Sequence, residues 1–159
     1  MAESSPSKEE SLDAPLHTIG FEIGDLSPEK VTGRLQVTPK CCQPFKVLHG
    51  GVSALIAEAL ASIGAHMASG FRRVAGVHLS IHHLRPARVG DALLAEATPV
   101  NAGRTIQVWG VNIWKAAGEG CGEEKGVLIS SARVTVMANM HVPEHARDAA
   151  ENLKKYAKL

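Results

Sequence analysis

The feature that most constrains the fold is a run of small and apolar residues at positions 52–68. Its larger apolar members recur at i, i+3 and i+4 spacing, which predicts one apolar stripe on a helix: Val52, Leu55, Ile56, Ala59, Leu60 and Ile63. The opposite face carries only alanines, so we expect another element to pack closely against it. A helix that is apolar all round is buried at the centre of its domain.

Six strand-like runs flank this helix, two before it and four after it. Val31, Gly33, Leu35 and Val37 alternate with polar residues, as expected of a half-buried strand. Long strands joined by short turns indicate a mostly antiparallel sheet. The order β-β-α-β-β-β-β therefore predicts an α+β domain, a sheet wrapped around one long central helix, with strands at residues 16–23, 31–38, 73–85, 92–100, 105–115 and 127–138.

A length of 159 residues fits one domain. We expect a disordered lead-in over residues 1–14, the folded domain over residues 15–140, and a short C-terminal helix with a tail over residues 141–159. The lead-in is polar and acidic, and it lacks the basic and apolar segments of a signal peptide. We predict the C-terminal helix at residues 144–156.

Charge and cysteine usage exclude several classes of function. The net charge of +1 argues against general nucleic-acid binding. No apolar run approaches the ~20 residues of a membrane span, so we expect no membrane insertion. The three cysteines include the adjacent pair Cys41 and Cys42, a poor disulfide framework. That pair has no second spaced pair to complete a zinc site, so we predict no metal.

The approach to the helix is suited to polarising a carbonyl group. His49-Gly50-Gly51 precedes the first turn, and glycines there leave backbone N–H groups open to a ligand. A helix N-terminus adds unpaired N–H groups and a partial positive charge, which can hold a carbonyl oxygen as it becomes an oxyanion. Gln43 and His49 offer further polar contacts.

Within residues 52–68 only Glu58 and His66 are ionisable. Glu58 lies at the edge of the apolar stripe, and Ser62 follows one turn later on the same side. Carboxylates are rarely buried without a partner, so this position is a candidate for a catalytic base, acid or nucleophile. A glutamate that reaches solvent from a partly exposed helix is the structural alternative, and the residue alone does not decide between them.

The combined pattern resembles the hotdog-fold acyl-CoA thioesterases of the phenylacetate-degradation and 4-hydroxybenzoyl-CoA type. Its elements are Gln43, His49-Gly50-Gly51, Glu58 nine residues after the histidine, and Ser62 four residues later. The resemblance spans residues 15–138. It continues through three further motifs: Val74-Ala75-Gly76, His83-x-Arg85 and Gly103-Arg104-x-x-Gln107-x-Trp109.

This resemblance implies hydrolysis of an acyl-CoA thioester to an acid and free coenzyme A. The Gly50 N–H, helped by Gln43, would polarise the thioester carbonyl. Glu58 would activate a water or attack directly to give an anhydride. His49 would orient the acyl group or assist the leaving thiolate, and Ser62 would position the water or Glu58.

The resemblance also implies a second group of residues and an assembly. No cofactor is expected, because coenzyme A is part of the substrate. The site is expected between two subunits, where Glu58 of one subunit meets Gln43, His49 and Gly50 of the other. The expected homodimer forms through residues 73–85 and is further paired into a tetramer. The remaining histidines, His66 and His145 among them, are expected to be structural or at the surface. The residues implied to bind coenzyme A or substrate are Gly76, Val77, His83, Arg85, Gly103 and Arg104.

Two further expectations concern substrate and location. As a whole the chain resembles the plant members of this family that act on 1,4-dihydroxy-2-naphthoyl-CoA, which implies an aromatic acyl-CoA and a place in phylloquinone biosynthesis. The sequence ends in Ala157-Lys158-Leu159, which resembles the Ser-Lys-Leu peroxisomal address. This predicts the peroxisome and its import receptor as a partner, with a chance ending on a basic tail as the alternative.

Two competing functions stay open at the level of the sequence. One is a hydroxyacyl-thioester dehydratase on the same fold, in which His49 and Glu58 would act as the acid–base pair. The other is a non-catalytic acyl-CoA-binding protein, whose function would survive loss of the carboxylate. Release of free thiol separates a thioesterase from both.

Overall fold

Six strands form one antiparallel sheet in a computed structural model, which describes residues 5–118 and 123–159. The strands are β1 (Phe21–Ser27), β2 (Lys30–Gln36), β3 (Arg73–His83), β4 (Ala92–Ala102), β5 (Ile106–Ala116) and β6 (Lys125–Met140); the helices are α1 (Lys8–Leu12), α2 (Ala14–Thr18), α3 (Gly50–Ala68) and α4 (Glu151–Tyr156). The strand order across the sheet is β1-β2-β4-β5-β6-β3, so β1 and β3 are the edge strands. The predicted α+β hotdog architecture is confirmed.

The central helix α3 packs on the sheet through its smallest residues. Ala57, Ala61 and Ala65 are at most 1% exposed. Gly64 lies so close to the buried Trp109 ring of β5 that an added Cβ would come within 2.5 Å of it. The predicted close packing is thus confirmed. Part of the predicted apolar stripe remains half-buried, at Val52, Leu55 and Ile63.

Among the described residues, one helix is long and apolar enough to cross a membrane, and that helix is α3. More than half of its most apolar stretch is buried inside the protein. The sequence-based statement that no apolar run approaches the length of a membrane span is therefore wrong. The packing of α3 against the sheet is that of a core helix.

The N-terminal region differs from the prediction. The expected strand over residues 16–23 is wrong, because residues 14–18 form α2 and the first strand begins at Phe21. The Asp13 carboxylate accepts the Leu16 N–H at 2.9 Å and caps α2, whose first turn contains Pro15. The lead-in that we expected to be disordered contains the short helix α1.

The C-terminal segment also differs in detail. Instead of one helix over residues 144–156, a 3-10 turn at Glu144–Ala146 precedes the short helix α4. Leu153 of α4 is buried in the core. After α4, the Lys158 N–H donates to the Leu26 carbonyl at 2.8 Å, so the tail returns to the end of β1. Cys121 lies outside the described residues.

Candidate active site

The N-terminus of α3 presents one open backbone donor. The helix begins at Gly50, two residues before the predicted start, and His49 is its N-cap. His49 Nδ1 accepts the Gly51 N–H at 2.8 Å, and the His49 carbonyl accepts the Val52 N–H at 2.9 Å. The Gly50 N–H has no hydrogen-bond partner within the described part of the chain. It therefore remains free for a ligand at the positive end of the helix.

Gln43 begins a tight turn whose hydrogen bonds orient its side chain. The Gln43 side-chain oxygen accepts the Phe45 N–H, and the Gln43 carbonyl accepts the Lys46 N–H at 2.8 Å. Lys46 takes the left-handed conformation, with φ of 62°, and the Phe45 ring is 87% exposed at the tip. Because its oxygen is engaged, the Gln43 amide offers its NH2 group as the available donor.

The Glu58 carboxylate lies in a niche on the edge strand. Ser62 Oγ donates to Glu58 Oε1 at 3.2 Å, one turn along the same helix. Gly76 of β3 lies directly beneath the carboxylate: a Cβ added there would overlap Oε1 and approach Oε2 to 3.0 Å. Because glycine has no Cβ, the Glu58 carboxylate can lie directly against the strand at Gly76.

The edge strand is irregular beside this niche. The pairing of β3 with β6 shifts register between Gly76 and His78, as at a β-bulge, and bulges often re-aim side chains next to active sites. Gly76 was expected to contact coenzyme A, but the structure places it against Glu58. Val77 follows with its side chain 52% exposed on the same strand.

His83 lies at the other end of β3, beside the start of α3. An added Cβ on Gly50 would be 3.0 Å from His83 Nε2, so the imidazole lies directly against Gly50. His83 and Arg85 line an open cavity of about 240 Å3, together with Val47, Leu48, Ser53, Leu84, Pro86, Ala87 and Ile129. His83 thus lies both in the lining of this cavity and against Gly50.

The Gly103-Arg104 motif lies apart from this cavity. It forms the turn between β4 and β5, where Arg104 is exposed. Ala75 near the start of β3 and Ile106 at the start of β5 both pair with Met137 of β6. The turn is therefore at the Arg73 end of the sheet, whereas His83 is at the opposite end. The residues implied to bind coenzyme A do not converge within one chain.

The two halves of the predicted catalytic group are also separated within one chain. Gly50 and Glu58 are eight residues apart on one straight helix, which corresponds to about 12 Å along its axis. The structure groups Glu58 with Ser62 and Gly76, and it groups His49 and Gly50 with His83. Within one chain these residues therefore form two separate groups.

Several residues of this region could not be assigned a role from the sequence. Leu55, one turn before Glu58 on α3, is half-buried. The sequence predicted its apolar stripe, but not that part of the stripe would remain accessible. The motif residues Gln107 and Trp109 are structural, because the Trp109 indole donates to the Gln107 oxygen at 2.9 Å inside the core. Among the described residues, no three metal-binding side chains converge.

The fold is combined with the Glu58 carboxylate of α3, which lies against a sheet edge, and with the open Gly50 N–H at the start of the same helix. Together these features define a hotdog-type thioester hydrolase. Residues 45–121 match the family model of the thioesterase superfamily. The chain is 56% identical over 144 residues to 1,4-dihydroxy-2-naphthoyl-CoA thioesterase 2 of Arabidopsis thaliana, covering 91% of each chain. The chain belongs to the thioesterase superfamily.

More distant relatives agree with this membership. A 1,4-dihydroxy-2-naphthoyl-CoA hydrolase of Listeria monocytogenes is 39% identical over 97 residues, which are 60% of this chain and 78% of the relative. The crystal structure of a Haemophilus influenzae thioesterase superposes with a TM-score of 0.70 at 29% identity, over 89% of this chain and 96% of that chain.

Proposed function

We propose that the protein is an acyl-CoA thioesterase that hydrolyses an aromatic acyl-CoA, 1,4-dihydroxy-2-naphthoyl-CoA, to the free acid and coenzyme A. The observation that carries the reaction is the Glu58 carboxylate in its niche on Gly76, held by Ser62. The acyl group is proposed by analogy with the Arabidopsis and Listeria relatives, which are named for this substrate. Phylloquinone biosynthesis is the pathway that this substrate implies.

We propose that two chains complete the site through a homodimer. β3 is an edge strand, and exposed edges favour pairing with another chain. A twofold antiparallel pairing brings the His83 end of one β3 opposite the Arg73 end of the other. The Gly50 N–H of one subunit then approaches Glu58 of its partner. Two such dimers would form the proposed tetramer.

In this composite site the thioester carbonyl would accept hydrogen bonds from the Gly50 N–H and the Gln43 amide of one subunit. Glu58 of the other subunit would remove a proton from a water that attacks the carbonyl carbon, or would attack that carbon itself to give an anhydride. In either route the C–S bond breaks and the thiolate leaves. In the second route a water would then hydrolyse the anhydride, which releases the acid and restores the Glu58 carboxylate. We propose that no metal or cofactor takes part.

His49 has one ring nitrogen left for this reaction. Its Nδ1 accepts the Gly51 N–H, so Nε2 is the atom that can contact the acyl group or supply a proton to the leaving sulfur. The Nδ1 bond also fixes the ring orientation. A role for His49 at the substrate therefore depends on the same hydrogen bond that caps α3.

A panel of aryl and fatty acyl-CoAs tests the proposed substrate. We expect thiol release with the highest kcat/KM on 1,4-dihydroxy-2-naphthoyl-CoA and lower values on other aryl thioesters and on fatty acyl-CoAs. A clear preference for aliphatic chains would contradict the aromatic assignment. Formation of an α,β-unsaturated product without thiol release would instead identify a dehydratase.

We propose that Ala157-Lys158-Leu159 is a peroxisomal address read by the import receptor. Leu159 is 81% exposed, whereas Lys158 is tied to the end of β1 through its N–H and through a 3.5 Å ion pair with Asp25. We expect deletion of the tripeptide to preserve activity and to leave the protein in the cytosol. Full-length protein that never co-localises with peroxisomes, with its C-terminus free, would contradict the proposal.

A further inference from the structure

The two edges of the sheet differ in the contacts made by their backbone groups. β1 and β3 each have one side without a neighbouring strand. Within the described part of the chain, no side chain bonds to the backbone of β3. On β1, by contrast, other segments of the same chain bond to the backbone at Ile23, Gly24 and Leu26. The edge of β1 is thus covered by its own chain through contacts that β3 lacks.

Helix α1 supplies the first group of these contacts. Lys8 Nζ donates to the Ile23 carbonyl at 2.9 Å and to the Gly24 carbonyl at 3.2 Å. Glu9 Oε1 accepts the Ile23 N–H at 3.4 Å. Lys8 and Glu9 are half-buried, whereas Glu10 on the same helix is exposed. The ammonium group and the carboxylate therefore each meet a backbone group of matching polarity on the edge strand.

The C-terminal tail supplies the second group of contacts. The Lys158 N–H donates to the Leu26 carbonyl at 2.8 Å, and Lys158 Nζ lies 3.5 Å from the Asp25 carboxylate. The two covering segments are also joined to each other, because Asn152 Nδ2 of α4 donates to the Ser11 carbonyl of α1 at 3.4 Å. Segments from opposite ends of the sequence thus meet along one strand edge.

We propose that α1 and Lys158 form an edge seal on β1, which prevents a second copy of this chain from pairing there. An open strand edge favours pairing with another chain, and proteins cover such edges with a helix, a loop or a lysine. A molecule that paired at both edges would build an open-ended chain of copies rather than a closed assembly. The seal leaves β3 as the pairing edge. That last step rests on the proposed homodimer, whereas the seal itself does not.

A full-length triple variant, Lys8→Ala with Glu9→Ala and Lys158→Pro, opens the seal. The two alanines remove the side-chain bonds to β1 and favour the helical state of α1. The proline removes the N–H that bonds to β1, and it is compatible with the extended conformation of Ala157 before it. We expect light scattering to give a mass about twice that of the parent or larger, increasing with protein concentration.

A matched control carries the same three types of substitution at exposed residues: Glu10→Ala, Lys30→Ala and Leu159→Pro. We expect this control to keep the mass of the parent. If the parent is a monomer, the proposed homodimer is wrong, and the seal then predicts a discrete dimer of the triple variant. A triple variant with the mass of the parent at every concentration, or equal association of the triple variant and the control, would overturn the seal.

Amide hydrogen exchange at Ile23 tests the seal independently, including the case in which circular dichroism shows that the triple variant does not fold. Glu9→Ala removes the acceptor of the Ile23 N–H, and Glu10→Ala changes its exposed neighbour. We expect exchange at Ile23 to become roughly 2–10-fold faster in Glu9→Ala, which corresponds to the net contribution of one hydrogen bond, and to stay unchanged in Glu10→Ala. The same exchange rate in both variants would contradict the seal.

Discussion

Glu58 is half-buried, and its carboxylate lies directly against Gly76 of the edge strand. Ser62 is its hydrogen-bond partner on the helix, and among the described residues no cation pairs with it. A surface glutamate would face water, and a structural one would have a basic partner. Its position on α3, against the edge strand β3, fits a group that reacts with a ligand shared between chains.

Replacing Glu58 by Gln should retain shape and substrate binding but remove the base or nucleophile. We expect kcat for a good aryl-CoA substrate to fall by roughly 10²–10⁴-fold, with a much smaller change in KM. The measurement is steady-state thiol release beside a thermal melt. Glu144→Gln, on the exposed C-terminal turn, is a matched control that should leave kcat unchanged. A Glu58→Gln enzyme that melts like the parent with kcat within about threefold of it would remove Glu58 from the mechanism.

Gly76→Ala tests whether the niche positions that carboxylate. The added methyl group would overlap Glu58 Oε1, and a displacement of about 1 Å can cost 10²-fold in rate. We expect a large loss of kcat, with a small change in KM and in melting temperature. Glu58→Asp in the same chain shortens the side chain, and we expect it to recover part of the kcat lost in Gly76→Ala.

Gly110→Ala is the matched control for that substitution. Gly110 is also a strand glycine, but its added Cβ would meet the flexible end of Arg133, 2.8 Å from Nη1. We expect this variant to retain kcat. If Glu58→Asp lowers activity equally in the parent and in Gly76→Ala, the two residues are independent and the positioning role is wrong.

For individual residues, the sequence predicts contacts between neighbours on the same helix, but not contacts between that helix and the strand beside it. The four-residue spacing of Glu58 and Ser62 predicted their contact, and the glycines after His49 predicted an open N–H. Gly76 was assigned to the coenzyme A site because of the motif in which it lies. Its contact with Glu58 depends on where β3 crosses α3 and on the register shift after Gly76, neither of which a local pattern encodes.

Among the elements, the contact between α3 and β5 decides how closely the helix lies on the sheet. Gly64 lies on the Trp109 ring, which is fully buried and is fixed by its hydrogen bond with Gln107. In a helix interior Gly is less favourable than Ala by about 1 kcal/mol. Helix propensity alone would therefore favour Ala at position 64, but the Cβ of an alanine would collide with the Trp109 ring.

We expect Gly64→Ala to destabilise the protein. Overpacking of a core typically costs about 1–3 kcal/mol, which exceeds the gain in helix propensity. At this chain length each kcal/mol corresponds to roughly 2–4 °C in melting temperature. A thermal melt of the variant should show a net loss of a few degrees, and a higher melting temperature would show that propensity outweighs the contact with Trp109.

The elements with strong periodicity were predicted to within a few residues, and the capped short helices were not. Alternation of apolar and polar residues located β2 and β3, and strand propensity located β5. Residues 16–23 were predicted as a strand after Pro15, yet the Asp13 cap starts a helix over residues 14–18. The C-terminal helix breaks without any Gly or Pro between residues 144 and 156.

For the whole molecule, the unpaired edge of β3 is the feature with the largest consequence. The strand has 11 residues and the exposed Val77 near its middle. The pattern of one chain does not show which residues of a second copy complete the site. The assignment of Glu58 to one subunit and of Gln43, His49 and Gly50 to the other came from the family resemblance alone.

Subunit complementation tests the composite site, the central claim, most directly. Glu58→Gln and Gln43→Ala each inactivate one half of the site, so a mixed dimer retains one site with both halves intact. We expect co-expressed variants to recover about a quarter of the wild-type activity, because half of the dimers are mixed and each has one of two sites intact. Light scattering should report the same oligomer in every sample. Activity in the co-expressed sample no higher than that of the separate variants would contradict a site shared between two chains.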